Sequence, residues 1–163
     1  MTNRVFTQTF GVVGAILEKD GKILLMKEGD NKVGDLGKWS HPAGWIDLGE
    51  NPIEAAKREV LEESGYELEP TALLGVYSLV RKDSEKLLGG PPHAIKLIFK
   101  GKLLNETPHA LSEDSSETRW FLPEEIYAMD GITLRDVDIK QMVKDYFAGK
   151  EAPLSVLTHS VQD

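Results

Sequence analysis

The chain has 163 residues, 40% of them hydrophobic and 28% charged, a composition that predicts one soluble globular domain with a sizeable core. Its formal charge of −8 argues against a broad nucleic-acid footprint, because that kind of binding draws its affinity from lysine and arginine. No apolar run approaches the roughly 20 residues of a membrane span, no cysteine is present for a disulfide or thiolate site, and Met1-Thr2-Asn3-Arg4 has no signal-peptide pattern, so a cytoplasmic location is expected.

Phe10 to Leu17 is largely apolar and predicts a buried strand. Asp20-Gly21 signals a hairpin turn into a second strand, Lys22 to Met26. Gly29 to Gly37 is polar and glycine-containing and predicts a loop, after which Trp39 to Gly44 leads into a glutamate-rich segment. That segment predicts a helix with clear boundaries. Asn51 suits the N-cap, Pro52 the first helical position, Glu54 a reach back to the cap amide, and Gly65 the left-handed residue that ends the helix. Ile53, Ala56 and Val60 fall on one face for the core, while Glu59, Glu62 and Glu63 form an adjacent stripe at i, i+3, i+4.

Beyond the helix, Leu73 to Val80 and Ala94 to Lys100 predict strands joined by the loop Lys82 to Pro92. Thr118 to Leu122 predicts a short strand, Pro123 opens a helical turn over Glu124 to Met129, and Asp136 to Phe147 has helical period. No internal repeat interrupts this order. Residues 1–148 are expected to form a single domain and residues 149–163 a tail, either loosely ordered or packed against a partner. Strands on both sides of two helices predict an α/β sandwich.

The acidic stripe carries the chemistry. Three carboxylates on one helical face repel each other, by a few tenths of a kcal/mol per pair when exposed and by more where water is excluded. Their oxygens suit a hard cation such as Mg²⁺ or Mn²⁺, which keeps coordination positions for substrate phosphates. A metal so placed polarises a phosphoryl oxygen and lowers the pKa of bound water, which points to metal-assisted hydrolysis of a phosphoanhydride. The plain alternative is a solvated acidic helix face, but Gly44, Glu50, Arg58 and Gly65 stand at fixed distances around the stripe.

The run Gly44, five residues, Glu50, seven residues, then Arg58-Glu59-Val60-Leu61-Glu62-Glu63-Ser64-Gly65-Tyr66 resembles the Nudix box, and it departs only at the last aliphatic position, which is Tyr66. With each fixed residue type near 6–7% of average usage, a chance match at a given start is on the order of 10⁻⁸. The resemblance extends over most of residues 8–147 and implies an α/β/α sandwich with a mixed sheet between helices. It implies metal ligands at Glu59 and Glu63, with Glu62 a ligand or the base, Arg58 aligning a glutamate, and the Gly44 carbonyl as a further ligand. Glu50 then orients Arg58 or the loop. A base outside the box is expected among Glu113, Asp114 and Glu117, ahead of Arg119-Trp120-Phe121, with Glu117 preferred.

For the substrate, Trp45 at the lip of the box loop is the stacking candidate, whereas Trp39 and Trp120 read as core. Arg81, His93 and His41 are candidates to meet phosphate or base. The proline of ADP-ribose pyrophosphatases is replaced by Val80-Arg81, and the tyrosine of dinucleoside polyphosphate hydrolases and the NADH pyrophosphatase array are missing. Gly44-Trp45-Ile46-Asp47 resembles a subgroup acting on nucleoside diphosphates linked to another moiety. The expected function is therefore pyrophosphate-bond hydrolysis in such a compound. A sanitising nucleoside triphosphate pyrophosphatase and a non-catalytic nucleotide sensor are the alternatives, and the missing cysteine disfavours an isopentenyl-diphosphate isomerase. The expected partner is a small nucleotide derivative, with no nucleic acid polymer and no membrane; the tail and exposed strands allow a homodimer.

Overall fold

The computed structural model describes residues 9–29, 34–84, 92–110 and 117–162. Its larger sheet contains β1 (Thr9–Ala15), β5 (Ala43–Trp45), β6 (Leu68–Val80), β7 (His93–Leu103) and β9 (Ala152–Pro153), in the order β5-β1-β7-β6-β9. The sheet is mixed: β1 runs parallel to β7, and the other pairs are antiparallel. A smaller sheet joins β2 (Glu18–Lys19), β3 (Lys22–Lys27) and β4 (Trp39–Ser40), with β8 (Thr118–Phe121) pairing on β3. Three helices occur among the described residues: α1 (Pro52–Ser64), α2 (Pro123–Ala128) and α3 (Ile139–Phe147).

The hairpin between β2 and β3 forms at Asp20-Gly21, both with positive φ, as a two-residue turn requires. Helix α1 starts and stops at the expected residues. Asn51 Oδ1 accepts the Ile53 amide at 2.9 Å, Pro52 follows, and Gly65 ends the helix at φ 72°. Glu54 does not close the cap as expected; it lies 3.4 Å from the Lys57 ammonium, an opposite charge one turn along the exposed face. A Cβ at Gly65 would overlap the His109 backbone, so only glycine meets both demands there.

Strand β6 begins five residues earlier than expected, at Leu68 rather than Leu73. Its first half is irregular, with register shifts between Pro70 and Ala72 and between Leu73 and Gly75, and this breaks the alternation that marks a strand in sequence. Helix α3 starts at Ile139, not Asp136, because Asp136 and Asp138 turn to the buried Lys96.

Two buried clusters flank the larger sheet. One packs Val13, Ala15 and Phe99 against Ala55, Ala56 and Val60 of α1; the other packs Ile98 and Leu74 against Ile139, Met142 and Val143 of α3. Ile53, expected in the helix core face, is only partly buried at the margin of the first cluster, where Ala55 takes the interior position. In the tail, Ala152–Pro153 pairs with β6, and Leu154 and Leu157 pack against the first cluster. That a two-residue strand carries no periodicity explains why the sequence leaves it unmarked. No helix among the described residues is long and apolar enough to cross a membrane.

Candidate functional site

The site is built where the edge strand β5 meets α1. Val13 of β1 pairs with Gly44, and α1 packs across the same face. Position 44 must be glycine, because a Cβ there would overlap the Glu59 carboxylate. Glu59 is therefore buried beneath the β5 backbone, Glu63 is half-buried against the same strand, and Glu62 faces outward.

Arg58 organises the carboxylates. Its Nε and Nη2 donate to the two oxygens of Glu50, both at 2.8 Å, a bidentate pair that lysine could not form. Nη1 donates to Glu59 at 2.6 Å and to Glu62 at 3.3 Å, and Nη2 also donates to the Trp45 carbonyl at 3.2 Å. The Arg58 guanidinium pulls the Glu50 carboxyl down from 4.5 to about 2, against the opposing effect of burial. The Arg58 pKa is raised in turn, first by its hydrogen bonds to Glu50. Glu50 is thus the orienting partner, and Arg58 is committed as a positioning residue.

Glu63 Oε2 accepts the Ala43 amide at 2.8 Å, which ties the helix to the strand that carries Gly44. Glu62 has a side chain 59% exposed, and its contact with Arg58 is the longest of the three carboxylate bonds. Among the described residues no three carboxylate or imidazole groups converge into a preformed metal cage. Arg58 occupies the space between Glu59 and Glu62 as their shared counter-ion. The donor set still suits a hard divalent ion: all oxygen, with one ligand exposed.

Other expected site residues fall at different places. Glu117 sits just before β8 of the smaller sheet, its side chain exposed and 3.3 Å from Lys27 Nζ. Glu113 and Asp114 lie outside the described residues. Trp45 is 38% exposed and stacks on Phe10 with ring centroids 4.9 Å apart. Trp39 and Trp120 are partly buried against the two cores, as expected for core aromatics. Trp120 meets the ring of Tyr66, which fills the last aliphatic position of the box as a buried residue.

Register separates the remaining candidates. Val12 pairs with Trp45 on one side and Lys96 on the other, so these three share a face of the larger sheet. His93 pairs with Thr9 and Val80 and faces the opposite way, with its ring nitrogens 3.1 Å from Thr9 Oγ1 and 2.9 Å from Ser78 Oγ. Arg81 follows on the Lys96 side, but its guanidinium is spent on Asp35 at 2.7 and 2.9 Å and on Asp83 at 2.9 Å. The structure brings Gly44, Trp45, Glu50, Arg58, Glu59, Glu62 and Glu63 together and engages Arg81 and His93 elsewhere. Phe10 is the partner that sequence reasoning missed. Its only signal is two-residue alternation with Val12, which shows once the register to Trp45 is known.

Known proteins resemble this chain in sequence and in fold. The family model described as NUDIX domain matches residues 6–143. An ADP-ribose pyrophosphatase of Methanocaldococcus jannaschii is 29% identical over 147 residues, covering 90% of this chain and 78% of its own. Phosphatase NudJ of Escherichia coli K12 is 26% identical over 145 residues, covering 89% and 88%. Among solved structures, a NUDIX hydrolase from Nitrosomonas europaea superposes with a TM-score of 0.79 at 31% identity, covering 94% of this chain and 98% of that one.

Proposed function

The chain belongs to the Nudix hydrolase family, and on that premise we propose that it hydrolyses the pyrophosphate bond of a nucleoside diphosphate linked to a second group. The observation that carries this reading is the Arg58-centred array, which holds Glu50, Glu59 and Glu62 together, with Glu59 packed against Gly44. The name of one relative, ADP-ribose pyrophosphatase, supports the same substrate class.

Glu59, Glu62 and Glu63 are the residues that would hold Mg²⁺ or Mn²⁺, with the Gly44 carbonyl beside them. When bound, such an ion neutralises charge on the diphosphate oxygens and makes its coordinated water more acidic. Arg58 aligns Glu59, and Glu50 fixes Arg58 from the far side. Glu62 is the group we assign to take the proton of the attacking water, because it is exposed and held by the longest of the Arg58–glutamate hydrogen bonds. A positioned base is typically worth 10²–10⁴-fold. Glu117 is the competing base, and its ion pair with Lys27 would have to open first. The Trp45–Phe10 pair supplies an apolar face for the nucleoside; Arg81 and His93 remain secondary candidates for substrate contact. We assign the enzyme to the cytoplasm, acting on small nucleotide derivatives rather than polymers, in keeping with its charge of −8.

The test is incubation with Mg²⁺ and a panel of nucleoside diphosphate derivatives and nucleoside triphosphates, with products identified by chromatography. Cleavage of the diphosphate derivatives into two monophosphate products supports the reading. Preference for triphosphates with pyrophosphate release favours a sanitising enzyme instead, and binding without turnover favours a nucleotide sensor.

A further inference from the structure

Strand β6 borders β9 on its outer side, but that pairing covers only Ala72 and Leu73. From Gly75 to Val80 the outer edge of β6 has no strand partner among the described residues. Register tells which backbone groups face outward. The Arg81 amide donates to the Pro92 carbonyl across the β6–β7 ladder at 2.9 Å, and antiparallel pairing alternates bonded with unbonded positions. Tyr77 and Leu79 therefore bond inward to β7, while the amides and carbonyls of Val76, Ser78 and Val80 point to the open edge. The same three residues carry exposed side chains, Val76 at 57% and Val80 at 45%.

Native sheets guard their open edges with charge, proline or bulges, because a row of unpaired amides and carbonyls is a template for another strand. This edge carries none of those guards. No charged residue occurs from Pro70 to Val80 in a chain that is 28% charged, and the register shifts of β6 all lie before Val76. Three features name the occupant. The outward residues read valine, serine, valine in either direction, so an antiparallel copy with its two-fold axis at Ser78 sets Ser78 against Ser78 and each Val76 against a Val80. Each such pair exchanges backbone hydrogen bonds and matches like side chains on one face. Charge agrees with this arrangement. The formal charge of −8 repels a second copy, and the edge is a neutral strip where approach is least opposed. At its end, the turn Lys82–Ser84 of one copy arrives beside the start of β9 in the other. Exposed Lys82 there meets Glu151, a carboxylate 55% exposed, while Asp83 is already held by Arg81 at 2.9 Å.

We propose that the open edge of β6 is a self-association surface, which pairs with the same edge of a second copy of this chain about an axis at Ser78. The larger sheet then runs on through both copies, β5-β1-β7-β6 in one and β6-β7-β1-β5 in the other. Strand β5, which carries Gly44 and Trp45, lies at the far edge of each copy, so both acidic arrays stay open to substrate. The association holds whichever nucleotide the array takes.

The experiment measures molecular mass by sedimentation across a dilution series for wild type, Ser78→Lys and Thr107→Lys, each confirmed folded by thermal unfolding. Wild type is expected to reach twice the monomer mass as concentration rises. Ser78→Lys brings two like charges together on the axis and is expected to weaken association at least about tenfold. Thr107→Lys adds the same charge at an exposed position beyond the Leu103 end of β7, away from this edge, and is expected to associate as wild type does. Amide hydrogen exchange read by NMR supplies a second measurement that needs no substitution. The Val76, Ser78 and Val80 amides are expected to exchange about tenfold more slowly in the concentrated sample than in the dilute one, with Tyr77 and Leu79 protected in both. A wild type that is monomeric at every concentration overturns the proposal, whether the edge amides exchange freely or another segment of the chain covers them. So does a dimer that Ser78→Lys leaves intact, or one whose edge amides exchange as fast as in the monomer. If Ser78→Lys does not fold, the exchange comparison on wild type decides.

Discussion

A methyl group at position 44 has no room, because the Glu59 carboxylate fills the space it would need. Gly44→Ala is therefore expected to displace Glu59 from Arg58, costing about 1–3 kcal/mol of stability as overpacking does. Activity should fall with it, read by thermal unfolding beside a turnover assay. Glu62→Gln and Glu63→Gln act differently. Each keeps the side-chain shape, so the fold should persist while kcat falls by at least about a hundredfold. Wild-type rates in both variants would remove these glutamates from the chemistry. Glu50 supplies a pH prediction. Its carboxyl is held at about 2 in the folded chain against an ordinary 4.5, so the Arg58 pair stabilises the fold fully above pH 4.5. That contribution is lost as pH falls from 4.5 toward about 2, and Glu50→Gln should flatten the acid limb of a stability profile over that window.

At the scale of elements, α1 was the most legible part of the chain. Asn51, Pro52 and Gly65 are local signals, and local physics set the ends of the helix they predict. The cap bond from Glu54 was not legible, since Lys57 offers an ion pair of comparable strength on the same surface. Strand β6 was only half legible: bulges near Pro70 and Leu73 hide its first residues. The union of Lys96 with Asp136 and Asp138 was invisible, because it joins a strand to a turn 40 and 42 positions away. Its burial makes a sharp prediction. Lys96→Met strands Asp136 without its ammonium partner and should cost about 3–5 kcal/mol in urea unfolding, as breaking one side of a buried pair does. Asp136→Asn in the Lys96→Met background should recover part of that loss.

Across the whole molecule, the two sheets and α1 leave the acidic array at an edge strand, with the Trp45–Phe10 stack on the same short strand and its neighbour. Sequence gave the array because its spacing is local, spanning Gly44 to Gly65. It did not resolve which distant residues face that array, because sheet register decides this: His93 turns to one face and Lys96 to the other. The central claim is hydrolysis at a diphosphate by water, with the box glutamates and a divalent ion. It is tested most directly by turnover of a nucleoside diphosphate sugar in heavy-oxygen water with Mg²⁺, read by mass spectrometry of both products. The account predicts one heavy oxygen in a single monophosphate product, and no product when the metal is chelated. Full turnover under chelation, or no cleavage of any diphosphate with Mg²⁺ present, would contradict it.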